Sequence, residues 1–271
     1  MEKKYRFGLE IADGGIKKNI GYFNKIESLI KAKNHEEKMK KIRLYDGTFT
    51  EPYLYKDIFK DDPEVITLHD IFKSDPELSI ILYDINFNRI TTLFIKMLDE
   101  TKISYNKNFS ESIIEGEYAP YYSLISPMVM SLWLERCKGI PTKKDTWLKL
   151  SRNEREEWLS QIASDGRLNL KNFNIKIENK ILEINGKNID DEVSFYFAFG
   201  ELVYGAGGYM GSNIHAFEDC LCCDKIKAST LTLIWNDFKI SKKGFYKNNE
   251  EFHFKDILDV LNEQGVKVIF K

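Results

Sequence analysis

Apolar and polar positions alternate through roughly the first hundred residues, and that alternation predicts strands. Tyr5 to Ile11 and Lys18 to Phe23 flank Asp13-Gly14-Gly15, a composition suited to the turn of a hairpin. Ile42 to Tyr45 is a short strand stopped by Asp46-Gly47, and Lys31 to Lys41 is a mixed-charge run expected as a loop or solvated helix end. Leu78 to Asp84 and Arg89 to Phe94 enclose Asn86-Phe87-Asn88, which predicts a second hairpin. From Ser126 the spacing becomes helical: Met128, Met130, Leu132, Trp133 and Leu134 run to Cys137, and Gly139 and Pro141 end the helix. Ser151 with Glu154 has the capping-box spacing ahead of Trp158, Leu159 and Ile162. The Trp-bearing helices around Trp133, Trp147 and Trp158 are assigned to the core.

The last part of the chain obeys a different rule. Three short apolar runs, Ile181 to Ile184, Leu231 to Trp235 and Val266 to Phe270, are separated by helical stretches. Strands alternating with helices predict a small parallel sheet. The first helix spans about Asp191 to Val203, and the second starts near Ser212. The last, about Phe252 to Gln264, has Phe254, Ile257, Leu258 and Leu261 on one face and Gly265 as its stop. Residues 165–179 are polar and Asn-rich. A boundary there divides the chain into an α+β domain, 1–170, and an α/β domain, 171–271.

Charge narrows the choice of partner. The formal net charge is −2, yet residues 176–271 hold 12 Lys, no Arg and 15 acids. The acidic surplus therefore sits at the C-terminal end, which argues against nucleic acid and for a basic protein partner. The four cysteines, Cys137, Cys220, Cys222 and Cys223, do not form a disulfide framework. Cys220-x-Cys222-Cys223 with His215 lacks the paired spacing of a structural zinc site, so no metal is expected. Gly205-Ala-Gly-Gly208 lacks the spacing and Lys of a phosphate loop, and no cofactor is expected. His35, His69, His215 and His253 sit in no catalytic motif, so no catalytic residue is named. No apolar run approaches membrane-spanning length and no signal peptide is evident, which suggests a reduced, soluble, cytoplasmic and monomeric protein.

Three stretches carry a resemblance. Leu182-Glu-Ile-Asn-Gly-Lys-Asn-Ile189, Gly208-Tyr-Met-Gly-Ser-Asn-Ile-His-Ala-Phe-Glu-Asp-Cys-Leu221 and Leu231-Thr-Leu-Ile-Trp-Asn-Asp-Phe238 occur in order near the C-terminus. They resemble the opening strand, the inhibitory loop with its helix, and the central strand of the barstar family. The resemblance implies a barstar-like fold that plugs the active site of a barnase-like ribonuclease. It assigns Asp219 to the acid that enters the nuclease's phosphate site, and Tyr209 to an interface tyrosine. Gly211 and Asn213 match the loop that leads into the helix. Helical spacing puts Ile214, Phe217, Cys220 and Leu221 inward and His215, Glu218, Asp219 and Cys222 outward. Two positions depart from the family: His215 stands where a second acid is common, and Glu218 where an aromatic is. A further interface glutamate in the last helix corresponds to Asp259 or Glu263. The expected partner-binding set is therefore Tyr209, Gly211, Asn213, His215, Glu218, Asp219, Asp259 and Glu263. Two other readings stay open: an adaptor that docks a non-nuclease protein, and an enzyme in residues 1–170 regulated by the C-terminal domain.

Overall fold

The alternation at the start of the chain is realised as a pair of strands: β1 (Phe7–Asp13) pairs antiparallel with β2 (Ile16–Phe23), with Asp13 opposite Ile16. The computed structural model describes residues 6–13, 16–27, 39–49, 65–67, 77–84, 86, 89–95, 102–105, 111–117, 126–139, 141–163 and 176–271. Short strands β3 (Lys25–Glu27), β4 (Met39–Tyr45), β5 (Thr48–Phe49) and β6 (Val65–Thr67) come next. The second expected hairpin is β7 (Glu77–Tyr83) with β8 (Arg89–Ile95), and β9 (Lys102–Tyr105) and β10 (Glu111–Glu117) complete the series. They form two five-stranded sheets, ordered β5-β2-β1-β7-β8 and β3-β4-β10-β9-β6. Ser79 to Leu82 of β7 are buried in succession, so this strand is covered on both faces. Lys31 to Lys38 of the charged run lie outside the described residues, whereas Met39 to Lys41 open β4 rather than continuing a loop. Helix α1 (Pro127–Cys137) is capped by Ser126 and buries Val129, Trp133 and Cys137.

The chain divides into two compact units, Met1–Gly139 and Ile140–Lys271. The boundary expected at residue 170 thus falls inside the second unit, and the reason is a set of contacts that tie residues 141–163 to residues 176–271. Trp147 stacks on Phe197 with ring centroids 5.5 Å apart and planes 9° apart. The Asp145 amide donates to Glu201 Oε2 at 2.8 Å. Helix α2 (Arg152–Ile162), opened by the expected Ser151–Glu154 capping box, sends Arg155 to Asp191 at 3.0 Å and Arg152 to Glu250.

The rest of this unit is the predicted α/β arrangement. Strands β11 (Ile181–Asn185), β12 (Thr232–Asn236) and β13 (Lys267–Phe270) form a parallel sheet in that order. Leu182, Ile184, Leu233 and Trp235 point to the covered face. Helix α3 (Glu192–Tyr204) fills the first connection, succeeded by α4 (Ile214–Leu221). The second connection holds α5 (Phe238–Lys247) and α6 (Glu251–Glu263), closed by Gly265 at φ +75°. The apolar pattern carries the central strand over Leu231 to Trp235, whereas the stretch that resembles the family's central strand runs on to Phe238. Asn236 ends the strand, Asp237 turns at φ +50°, and Phe238 opens a helix that the pattern does not predict. Gly244 interrupts the helical pattern of α5 because a Cβ there would lie 2.7 Å from Asp190 Cα.

Aromatic rings fill the space between α3 and the sheet. Phe195 stacks on Trp235 at 5.3 Å, and Phe217 of α4 meets Phe199 edge-on at 5.2 Å. Trp235 Nε1 donates to Ser241 Oγ at 2.8 Å, which donates to the Gly186 carbonyl at 2.9 Å, so this buried polar chain is satisfied. Among the described residues, no helix is long and apolar enough to cross a membrane.

Candidate functional site

Helix α4 is held in place by its inner side. Phe217, Cys220 and Leu221 are buried, and Asn213 Oδ1 accepts the Ala216 amide at 2.9 Å as the N-cap. The chain enters this helix through Gly211, whose φ of +98° suits glycine. A Cβ at Gly211 would also lie 2.5 Å from Phe217 N. With the inner side fixed, His215 and Asp219 stand exposed or half-exposed to solvent and Glu218 is half-buried among them; the burial pattern along 214–219 places none of the three in the core. Ile214, expected inward, is exposed to solvent at least in part and lies at the edge of a groove.

That groove, of about 580 Å³, runs between α4 and α6. Phe254, Ile257, Val260 and Leu261 anchor α6, whose other side sends His253, Asp256, Asp259 and Glu263 to the groove. Glu192, from the first turn of α3, completes the wall. Its Oε1 is 3.5 Å from His253 Nδ1, and its Oε2 accepts the Tyr196 hydroxyl at 3.3 Å. Burial pushes the Glu192 carboxyl above the usual carboxylate range, and His253 opposes the shift. The same burial, together with Glu192, raises the Tyr196 phenol, which stays a neutral donor. At the far end Cys222 Sγ donates to Gln264 Oε1 at 3.3 Å and ties α4 to α6.

Five of the eight residues expected at the partner surface line this groove: Asn213, His215, Glu218, Asp259 and Glu263. Three do not. Tyr209 is half-buried, its hydroxyl donating to Ser212 Oγ at 3.3 Å, and burial raises its phenol. Gly211 is buried beneath α4, and Asp219 lies on the outer side of α4 outside the lining. Glu192 and Asp256 were missed. Asp256 could have been found, because acids at 256, 259 and 263 recur at the spacing of one helix face. Glu192 could not, since it comes from another element.

Five carboxylates converging on one concave surface repel each other and concentrate a negative field. Such a surface is suited to taking up cations from a partner. Among the described residues, no group of three His, Cys, Asp or Glu side chains is placed to hold a metal ion. Cys220, on the buried side of α4, has its thiol pushed up to about 11 by burial. At pH 8 roughly one molecule in a thousand would then carry the Cys220 thiolate. Labelling of the native protein at that pH should therefore modify exposed Cys222 first and Cys220 last of the three clustered thiols. Equal rates at Cys220 and Cys222 would contradict this packing of α4.

Comparison with curated proteins finds no match to this chain. A family match exists over the sheet and helices that build the groove: residues 179–267 match Barstar (barnase inhibitor), a family of inhibitors rather than enzymes, and the C-terminal third is accordingly a barnase-inhibitor-like or binding module.

Proposed function

We propose that this chain is an immunity protein that neutralises a bacterial barnase-like ribonuclease in the cytoplasm by covering its cationic active site with the outer face of α4 and the adjoining groove. A ribonuclease must hold a scissile phosphate, so its active site is lined with cations. The observation that carries the proposal is the convergence of Glu192, Glu218, Asp256, Asp259 and Glu263 on one groove, with Asp219 beside it on the outer side of α4. The carboxylates sit on helices whose other sides are packed, so little ordering is needed on binding. A second reading, an adaptor that binds a non-nuclease protein, is favoured by His215, which replaces an acid of the family with a group that is neutral or positive.

Stoichiometric inhibition of RNA cleavage, measured with the full chain against a panel of bacterial barnase-like ribonucleases, tests the proposal. Inhibition of at least one enzyme at equimolar protein is expected. If no member is inhibited and none forms a complex, the adaptor reading takes its place.

A further inference from the structure

The outward side of α5 carries the charge opposite to that of the groove. Its sequence, Phe-Lys-Ile-Ser-Lys-Lys-Gly-Phe-Tyr-Lys, contains four lysines and no acid. Lys239, Lys242, Lys243 and Lys247 are spaced to share one side of the helix, and all four are exposed. Tyr246, 47% exposed, falls among them, with Lys242 Nζ 5.5 Å from its ring centre. Ile240, 49% exposed, borders the stripe. Among the described residues, none of these lysines has an ion-pair partner. A cationic stripe with an apolar middle is therefore presented by the same unit that presents an anionic groove bordered by Phe252, itself 72% exposed.

We infer that the α5 stripe docks into the α4–α6 groove of a second copy of this chain. Charge complementarity selects this occupant: four lysines face a surface of five carboxylates, and Tyr246 and Ile240 match the apolar border at Phe252. The stripe cannot serve its own groove. Ser241 and Phe245, on the opposite side of α5, are buried, and Phe245 packs on Phe254 of α6 at 5.0 Å, which fixes the helix with its lysines outward. Two different surfaces meet in this contact, so each added copy leaves one stripe and one groove open, and growth continues unless the rotation closes a ring. Exposed lysine–carboxylate pairs are individually weak and screened by salt. The association is therefore weak and salt-sensitive, in place of the monomer expected from the sequence, and it covers the groove reversibly.

Sedimentation velocity of the full chain over a concentration series, at low and at high salt, tests this. The weight-average mass should rise with concentration at low salt and fall back when salt is added. K242E/K243E, in the stripe, and E218K/D259K, in the groove, should each weaken association by about a hundredfold, because like charges are then juxtaposed. Mixing the two variants should restore it, since each supplies the surface the other lacks. Circular dichroism checks that these changes leave the fold intact. Wild type that stays monomeric at the highest concentration and lowest salt overturns the inference, as does association that survives either reversal. A gel shift of a single-stranded oligouridylate that K242E/K243E abolishes, without self-association of wild type, would make the stripe a nucleic-acid surface instead.

Discussion

Asp219→Ala should weaken inhibition of a susceptible ribonuclease by about 2–5 kcal/mol while leaving the domain folded. The catalytic cations of such an enzyme repel each other and are normally balanced by substrate phosphate. A carboxylate on a preformed helix supplies that balance through charge-assisted hydrogen bonds, which are among the stronger kinds. Removing it leaves a desolvated cation without a partner, so the loss should appear mainly as faster dissociation, while long-range steering by the remaining acids survives. Asp219 lies on the outer side of α4, away from the core, so its truncation removes no core packing. Tyr209→Ala should cost less affinity, because its half-buried ring and Ser212 contact serve the fold first. Glu218→Gln is the informative comparison. Glu218 lines the groove and Asp219 does not. If the partner's cations sit between α4 and α6, the Glu218 change will exceed the Asp219 change. If they sit over the outer end of α4, the order reverses. Dissociation rates of the two variants, with circular dichroism as control, decide between them. Full inhibition by both would remove α4 from the interface.

Where chemistry is local, the chain discloses its own structure. The Ser151–Glu154 capping box, Gly265 as helix stop, and the three apolar runs of the parallel sheet could all be read because each depends on residues a few positions apart. Both hairpins were legible for the same reason. The pairing of β10 with β4 was not, because those strands are brought together from distant parts of the chain. Helix α5 was hidden by composition: only Ser241 and Phe245 are fully buried, and Gly244 and four lysines obscure the pattern. The site was half legible. Helical spacing put His215 and Glu218 on an outward face and the family resemblance pointed to Asp259 or Glu263, but the groove that unites them with Glu192 exists only once α3, α4 and α6 pack. The attachment of residues 141–163 left the least trace, since an arginine facing a carboxylate 36 positions away has no local signature.

That attachment leads to the other large effect. Arg155→Ala should destabilise the Ile140–Lys271 unit by about 3 kcal/mol. The Asp191 side chain is 0% exposed and Arg155 only 12%, so water cannot replace the lost guanidinium. Asp191 keeps other support: its Oδ1 accepts the Ser194 amide at 2.7 Å, at the positive end of α3, and the Arg152 guanidinium still attracts it. That support places the cost at the lower end of what breaking a buried pair incurs. Arg152→Ala should act in the same direction, because Glu250 is almost fully buried and would be left with the Glu192 amide alone, at 3.0 Å. Glu156→Ala, by contrast, removes only an exposed pair with Arg152 and should cost under about 0.5 kcal/mol. Urea unfolding monitored by tryptophan fluorescence measures these differences: Trp147, Trp158 and Trp235 are buried in this unit, while Trp133 lies in the other. Replacing both partners, Arg155→Met with Asp191→Asn, should recover part of the loss by removing the unpaired charge. If Arg155→Ala unfolds at the wild-type urea concentration, α2 is not an integral part of the barnase-inhibitor-like domain, and the domain begins nearer residue 171, where the polar run placed it.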